Sequence, residues 1–221
     1  MEVSVIIRTF NNGEFIKKAV DSALNQTIDK GQYEIIVVND GSTDDTHNIL
    51  ESFGDKIVLI NQKNKGMVKS GYIGLENSKG SHIIFLDGDD EFKKDALSEL
   101  FNALKENKEC GFSYCDYYEM DLRNGSQKIV SLENIYNSLA GGILFKRSVL
   151  EDIGFWDRSM SFPEHDLMIR MLKKYKGVHV KKPLFVYKRH EGSFTDDKER
   201  VEKGLKEIFD KHGFIEGFKK Y

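Results

Sequence analysis

Proline is almost missing from this chain. Only Pro163 and Pro183 occur in 221 residues, which excludes a proline-rich linker or recognition tract. Cysteine is as scarce. Cys110 and Cys115 are too few for a disulfide-stapled scaffold, and they read as two reduced thiols of a cytoplasmic protein. No apolar run approaches the ~20 residues of a membrane-spanning helix. The opening MEVSVIIRTF enters a strand-like run at once, without the basic region or cleavage site of a leader, so no signal peptide is expected. Neither sign of charge dominates: 33 Lys+Arg stand against 36 Asp+Glu, a net −3. Without a global basic field, no nucleic-acid partner is expected. Repeats, low-complexity tracts, a Walker A loop and a G-x-G-x-x-G loop are all absent.

What is present is an ordinary globular composition, 39 % hydrophobic, 31 % charged and 11 % aromatic. The first half alternates between strand and helix patterns. Strands are expected over 2–8, 33–39, 56–61 and 81–86. Between them, Asn12 is placed to cap a helix through Leu24, and Ser42-Thr43-Asp44-Asp45 starts another through Leu50 and Phe53. Further helices are expected over 68–77 and 95–107. The second half is less regular, with strands over 112–119, 141–145 and 184–189 and helices over 166–175 and 198–212. Strands joined by helical crossovers imply an α/β fold: a Rossmann-like, mainly parallel central sheet flanked by helices. The expectation is one domain over 1–221, whose halves, about 1–90 and 91–221, share that sheet.

Ligands of open α/β sheets bind beyond the carboxyl ends of the strands. The first strand ends in Arg8-Thr9-Phe10-Asn11, the second in Asn39-Asp40-Gly41-Ser42 and the fourth in Asp87-Gly88-Asp89-Asp90. Each alone would pass for a turn or a cap; three on one edge point to a binding rim. The acids at 87–90 follow an apolar run, HIIFL, and burying like charges is costly unless something positive meets them. Oxygen donors with no Cys or His nearby suit Mg²⁺ or Mn²⁺ rather than zinc. Asp40, Ser42, Asp44 and Glu51 have the spacing of a calcium loop. That reading fails because Asp45 holds the position that needs glycine and the flanks are strand and helix. A phosphatase-type Asp-x-Asp motif fails too, because Glu91 fills its Thr/Val slot and three strands precede it.

Several stretches together resemble the family 2 glycosyltransferases of the GT-A fold. VSVIIRTFNNGEFIKKAVDSALNQT resembles the family's opening strand and helix, and EIIVVNDGSTDDT its second strand and loop. NKGMVKSGYIGL and GSHIIFLDGDD supply the linking segment and a DxD-type motif. GILFKRSVLEDIGFWD, PEHDLMIRM and PLFVYKRHEGSFT resemble the acceptor-side, catalytic-acid and closing-loop segments. The resemblance covers nearly the whole chain and implies an inverting, metal-dependent transferase. It would move a sugar from a nucleoside diphosphate, UDP being the family's commonest, to a hydroxyl of a carbohydrate or lipid-linked acceptor in glycan, polysaccharide or glycolipid assembly. By the same resemblance Thr9, Phe10, Asn11, Asp40 and Ser42 hold the nucleoside, Asp40 accepting from the base. Lys65, Gly66 and Lys69 lie near ribose or diphosphate. Asp87 and Gly88 orient ribose or metal, and Asp89 is the main ligand of Mn²⁺ or Mg²⁺. His190 completes the metal or diphosphate site, with Lys188 and Arg189 adding positive charge.

Three departures from the family pattern stand out: Arg8 where Pro is usual, Gly71-Tyr72 where Arg-Asn is common, and Pro163-Glu164-His165-Asp166 where Glu-Asp-x-Asp is frequent. Aligned on the following Leu-x-x-Arg, Glu164 takes the place of the base and Asp166 that of the acid at the helix start. Glu164 is therefore the expected general base and Asp166 the runner-up, with a helix-dipole role as its alternative. The departures also leave open a catalytically silent sugar-nucleotide-binding or scaffold domain. The amphipathic stretch 200–218 is expected to pack on the core. Lys203, Lys206, Lys211, Lys219 and Lys220 offer the alternative of peripheral contact with the inner face of a membrane.

Overall fold

A computed structural model describes residues 1–132, 140–191, 196–213 and 215, without the side chains of 140 and 200. Four parallel strands form its first half: β1 (Val3–Thr9), β2 (Tyr33–Asn39), β3 (Val58–Asn61) and β4 (His82–Asp87), in the order β3-β2-β1-β4. Every residue of β1 is buried, as a strand covered on both faces requires. Val3, Val5 and Ile7 face a core shared with α1 (Ile16–Leu24) and α4 (Ala96–Glu106), through residues such as Ala19, Val20, Leu97 and Leu100. Ile6 faces the opposite core, with Ile83, Phe85, Phe112, Trp156 and Leu167. The remaining first-half helices are α2 (Thr46–Glu51) and α3 (Met67–Glu76).

Beyond β4 the sheet becomes mixed. β5 (Glu91–Phe92), β6 (Cys110–Asp121), β7 (Ser126–Val130), β8 (Ile143–Lys146) and β9 (Lys176–Arg189) continue it as β4-β8-β6-β9-β5, with β7 paired to β6. β8 runs antiparallel to both β4 and β6, whereas β6 and β9 are parallel. The parallel expectation thus describes the first half. Strand orientation in the second half is invisible to a hydrophobic pattern, which is the same for either pairing. β9 begins eight residues before the expected strand. Pro183 sits in its middle, opposite Asp116 at a register shift, the kind of place where a strand tolerates a residue that cannot donate.

Three further α-helices follow among the described residues: α5 (Arg147–Ile153), α6 (Pro163–Leu172) and α7 (Lys198–His212). α6 starts three residues earlier than its periodicity suggested, because Pro163 occupies the first turn, where its fixed φ suits a helix. Glu164 and Asp166 therefore share that turn. The capping expectations differ in detail. Asn12 starts α1 through its carbonyl, which accepts from Phe15 and Ile16. The Asp44 carboxylate accepts from the Thr46 backbone at the start of α2 and from Gly13 on the neighbouring loop. α7 turns Val201, Leu205 and Phe209 onto Phe162, and Ile208 is fully buried. Its apolar face is thus covered by the protein. Lys211 is ion-paired, Lys203 and Lys206 are exposed, and Lys219 and Lys220 lie outside the described residues. No described helix is long and apolar enough to cross a membrane. Both cysteines are free and buried, and burial pushes the Cys115 thiol up to about 12.

Candidate active site

The registers Thr9↔Asn39 and Arg8↔Asp87 bring the three polar strand ends to one edge, as the sequence implied. Two groups of residues stand there. On the β1–β2 side, loops are knitted to each other. Asn11 adopts φ 54, a left-handed conformation that Asn tolerates better than most residues. Its backbone N–H donates to Ser42 Oγ at 2.9 Å, and its Oδ1 accepts from the Thr43 N–H at 2.8 Å. Asp40, 3 % exposed, accepts from Gln62 Nε2 at 2.6 Å and from the backbone N–H groups of Lys65 and Gly66. This carboxylate, expected to face a base, therefore anchors the 62–66 loop beside the rim. Phe10 is 45 % exposed, an aromatic face open to solvent at the edge. Lys65 and Gly66 are exposed, while Lys69 is half-buried on the first turn of α3. Thr9 Oγ1 is buried with no hydrogen-bond partner among the described residues. It packs against Gly88, where a Cβ would meet it at 2.5 Å, so glycine is what lets the end of β4 lie this close to β1.

On the β4 side, each acid meets a donor from its own chain. Asp87 Oδ1 accepts from Arg8 Nη2 at 2.6 Å. Asp89 Oδ2 lies 3.0 Å from His190 Nε2. Asp90 accepts from the backbone N–H of Lys188 at 2.9 Å, and Glu91 pairs with Lys188 Nζ at 2.6 Å. Something positive does meet the carboxylates that follow HIIFL, and much of it is intramolecular. Burial drives Asp90 well above the usual carboxylate range, with Asp89 and Asp87 adding repulsion. Burial works against the charged form of His190, but the bond to Asp89, the Glu191 carbonyl and the nearby charges of Asp89 and Glu14 together outweigh it, and the pKa is raised. Phe15 stacks on the His190 ring at 4.7 Å and fixes its plane. Alternation settles the end of β9: Lys188 and, just past the strand, His190 face the rim, while Arg189 faces away to Glu119 and Asp196. Arg189 is thus not brought to the rim beside Lys188 and His190, where it was expected.

The cation expectation fits this donor set in part. Among the described residues, no three His, Cys, Asp or Glu side chains converge as ligands for an ion. Asp87 is committed to Arg8. The Asp89–His190 pair remains, and a hard divalent ion at a phosphate site needs only one or two protein donors, phosphate oxygens and water filling the other positions.

The two catalytic candidates separate clearly. Glu164, its side chain 19 % exposed, directs Oε1 to Arg8 Nη1 at 3.2 Å. No described residue bonds its Oε2. Asp166 is 0 % exposed and held by Arg170 Nε at 2.8 Å, Lys211 Nζ at 2.8 Å and His212 Nε2 at 2.7 Å. It fastens α6 to α7, and the structure does not bring it to the rim contacts that Glu164 makes. Burial disfavours its charge, yet the bonds from Lys211, His212 and Arg170 prevail and its pKa is lowered.

Arg8 is the residue that sequence reasoning undervalued. Its guanidinium, 3 % exposed, lies 4.8 Å from the Trp156 ring centroid and joins Asp87 to Glu164. The signal was there: a lone charge inside the apolar strand VSVII must find partners. The Gly71-Tyr72 departure is explained by the same tryptophan. A Cβ on Gly71 would lie 2.0 Å from Trp156 Cζ3, and Tyr72 Oη donates to the Trp156 carbonyl at 2.8 Å. That pair makes room for the chain segment that supports Arg8.

The family model described as Glycosyl transferase family 2 matches residues 4–157. An uncharacterized glycosyltransferase of Rickettsia typhi is 32 % identical over 188 residues, covering 77 % of this chain and 58 % of the relative. The chain thus spans somewhat over half the length of that relative. Among solved structures, S. aureus TarS 1-349 in complex with UDP-GlcNAc aligns with a TM-score of 0.73 at 21 % identity. That alignment covers 95 % of this chain and 67 % of the TarS 1-349 chain. The mannosyltransferase PcManGT from Pyrobaculum calidifontis, in complex with GDP-Man and Mn²⁺, aligns at 0.74 and 17 % identity, over 95 % and 63 %. At such identities the likeness carries the fold, which is that of these GT-A glycosyltransferases. The chain belongs to glycosyl transferase family 2.

Proposed function

We propose that this chain transfers a sugar from a nucleoside diphosphate, UDP being the first choice, to a hydroxyl acceptor with inversion at the anomeric carbon. The observation that carries this reading is the placement of Glu164. Its carboxylate stands one guanidinium away from Asp87 at the strand edge, with Oε2 unbonded by any described residue. That oxygen is suited to take the proton of an acceptor hydroxyl as the hydroxyl attacks C1 and the bond to the diphosphate breaks. Phe10 offers a face for the base, and the Asp40-anchored loop presents Lys65 and Gly66 towards ribose or diphosphate. Asp89 and His190 would hold Mn²⁺ or Mg²⁺, which when bound supplies positive charge to the departing diphosphate. The lysine of Lys188 is committed to Glu91 and contributes through the local field. Neighbours bound to UDP-GlcNAc and to GDP-Man with Mn²⁺ support a nucleotide-sugar donor and a cation while leaving the base open. The acceptor is a carbohydrate or a lipid-linked glycan.

A second reading draws on Arg8. A site whose acids are already neutralised from within could bind sugar nucleotides without turning them over. One experiment separates the two. The chain is incubated with UDP-, GDP- and dTDP-sugars and Mn²⁺, and release of nucleoside diphosphate is followed. Release with one donor, lost in Glu164→Gln while nucleotide binding persists, is expected. Binding without release selects the silent domain, and neither binding nor release overturns both.

A further inference from the structure

Arg8 sits at the penultimate position of β1 and does three things at once. Nη2 holds Asp87 at 2.6 Å, Nη1 holds Glu164 at 3.2 Å, and the guanidinium plane lies over Trp156 at 4.8 Å and Phe85 at 5.6 Å. Asp87 ends a strand in one half of the chain, whereas Glu164 starts a helix more than 70 residues later. No hydrogen bond or ion pair between described residues joins the two carboxylates directly, and two carboxylates facing one another would repel. A lysine could not make the same bridge, because its ammonium is a point charge on a flexible stem, whereas the guanidinium fork offers two donors in a fixed plane. The aromatic pair beneath it sets that plane.

We propose that Arg8 is a positioning residue for the transfer reaction: it holds the Glu164 carboxylate against the Asp87 edge, so that Oε1 is tied and Oε2 faces the acceptor. The inference rests on the reading of Glu164 as the base. Misplacing a base by ~1 Å can cost on the order of 10²-fold in rate. Loss of Arg8 therefore falls on the chemical step and spares the nucleoside contacts made by Phe10, Asn11 and the Asp40 loop.

The test compares wild type, Arg8→Met and Arg8→Lys, each corrected for folded fraction by circular dichroism. Sugar-nucleotide turnover is measured with the donor that wild type accepts. Binding of the matching nucleoside diphosphate with Mn²⁺ is read separately by calorimetry and by the fluorescence of Trp156, the single tryptophan. The expected result is a ~10²-fold lower kcat for Arg8→Met with nucleotide Kd and donor KM within ~3-fold of wild type. Arg8→Lys is expected to recover folding but to remain about 10-fold or more below wild type in kcat. Should Arg8→Met unfold, the kcat of folded Arg8→Lys alone decides. Full kcat in either variant overturns the bridge. A Kd that rises in step with the loss of turnover also overturns it, since Arg8 would then be a donor-binding residue. If wild type neither binds nor turns over any donor, the proposed function has failed and the inference falls with it.

Discussion

Replacing Asp166 by Asn tests both the stability of the second half and the choice of base. The carboxylate is fully buried and takes hydrogen bonds from Arg170, Lys211 and His212, joining the first turn of α6 to the end of α7. An amide keeps the shape but loses the charge, and its NH₂ group turns towards cationic donors. Breaking a buried ion pair costs about 3–5 kcal/mol. The lower end applies here, because the donors keep other partners. Lys211, 35 % exposed, retains Asp157, and Arg170 retains the carbonyls of Ile153, Gly154 and Phe155. A loss of about 3 kcal/mol is a large part of the roughly 5–15 kcal/mol typical of a folded chain. At about 2–4 °C per kcal/mol for this size, Tm should fall by about 6–12 °C in thermal denaturation followed by circular dichroism. The pH dependence has a definite sign. The folded-state pKa of Asp166 is lowered, so its contribution is fully present above the unfolded value of about 3.9 and is lost as pH falls through the folded value. The gap in Tm between wild type and Asp166→Asn should therefore be full at pH 6 and shrink in strong acid. Turnover per folded molecule should survive. A Tm within 2 °C of wild type would refute the clasp, where that threshold is about one kcal/mol or less. A folded but inactive Asp166→Asn beside an active Glu164→Gln would reverse the choice of base.

Other expectations follow from single contacts. Asp89→Ala removes the partner of His190 at the rim; it should leave the far-ultraviolet circular dichroism unchanged and abolish any dependence of turnover on Mn²⁺, and normal metal-stimulated turnover would disprove the assignment. Gly71→Ala places a Cβ 2.0 Å from Trp156 Cζ3, an overpacking worth about 1–3 kcal/mol. It should lower Tm and shift the Trp156 fluorescence, and an unchanged spectrum would show that the ring has room to spare.

The legibility of this protein divides at β4. In the first half, local pattern and tertiary outcome agree. The run YEIIVVN is β2 residue for residue, and the three polar stretches that end β1, β2 and β4 reach one edge because parallel strands with helical crossovers leave no other arrangement. The rim could therefore be placed from sequence. Its internal charge pairing could not. Arg8 and Glu164 are 156 positions apart, and His190 and Asp89 are 101 apart. Nothing local in either residue encodes such a distant partner. The face that Arg189 takes is illegible for a related reason: it depends on the register of β9 against β6, which a bulge at Pro183 shifts.

Sequence alone settled the chemistry available to this protein: parallel apolar strands, an acidic edge, and a family whose motifs run through the chain. Tertiary structure decided how those charges are shared. Burial makes an unpartnered ion too costly to keep, so Arg8, Lys188 and His190 were drawn to the acids, and Asp166 was taken up in joining two helices while Glu164 kept an oxygen free of bonds to any described residue.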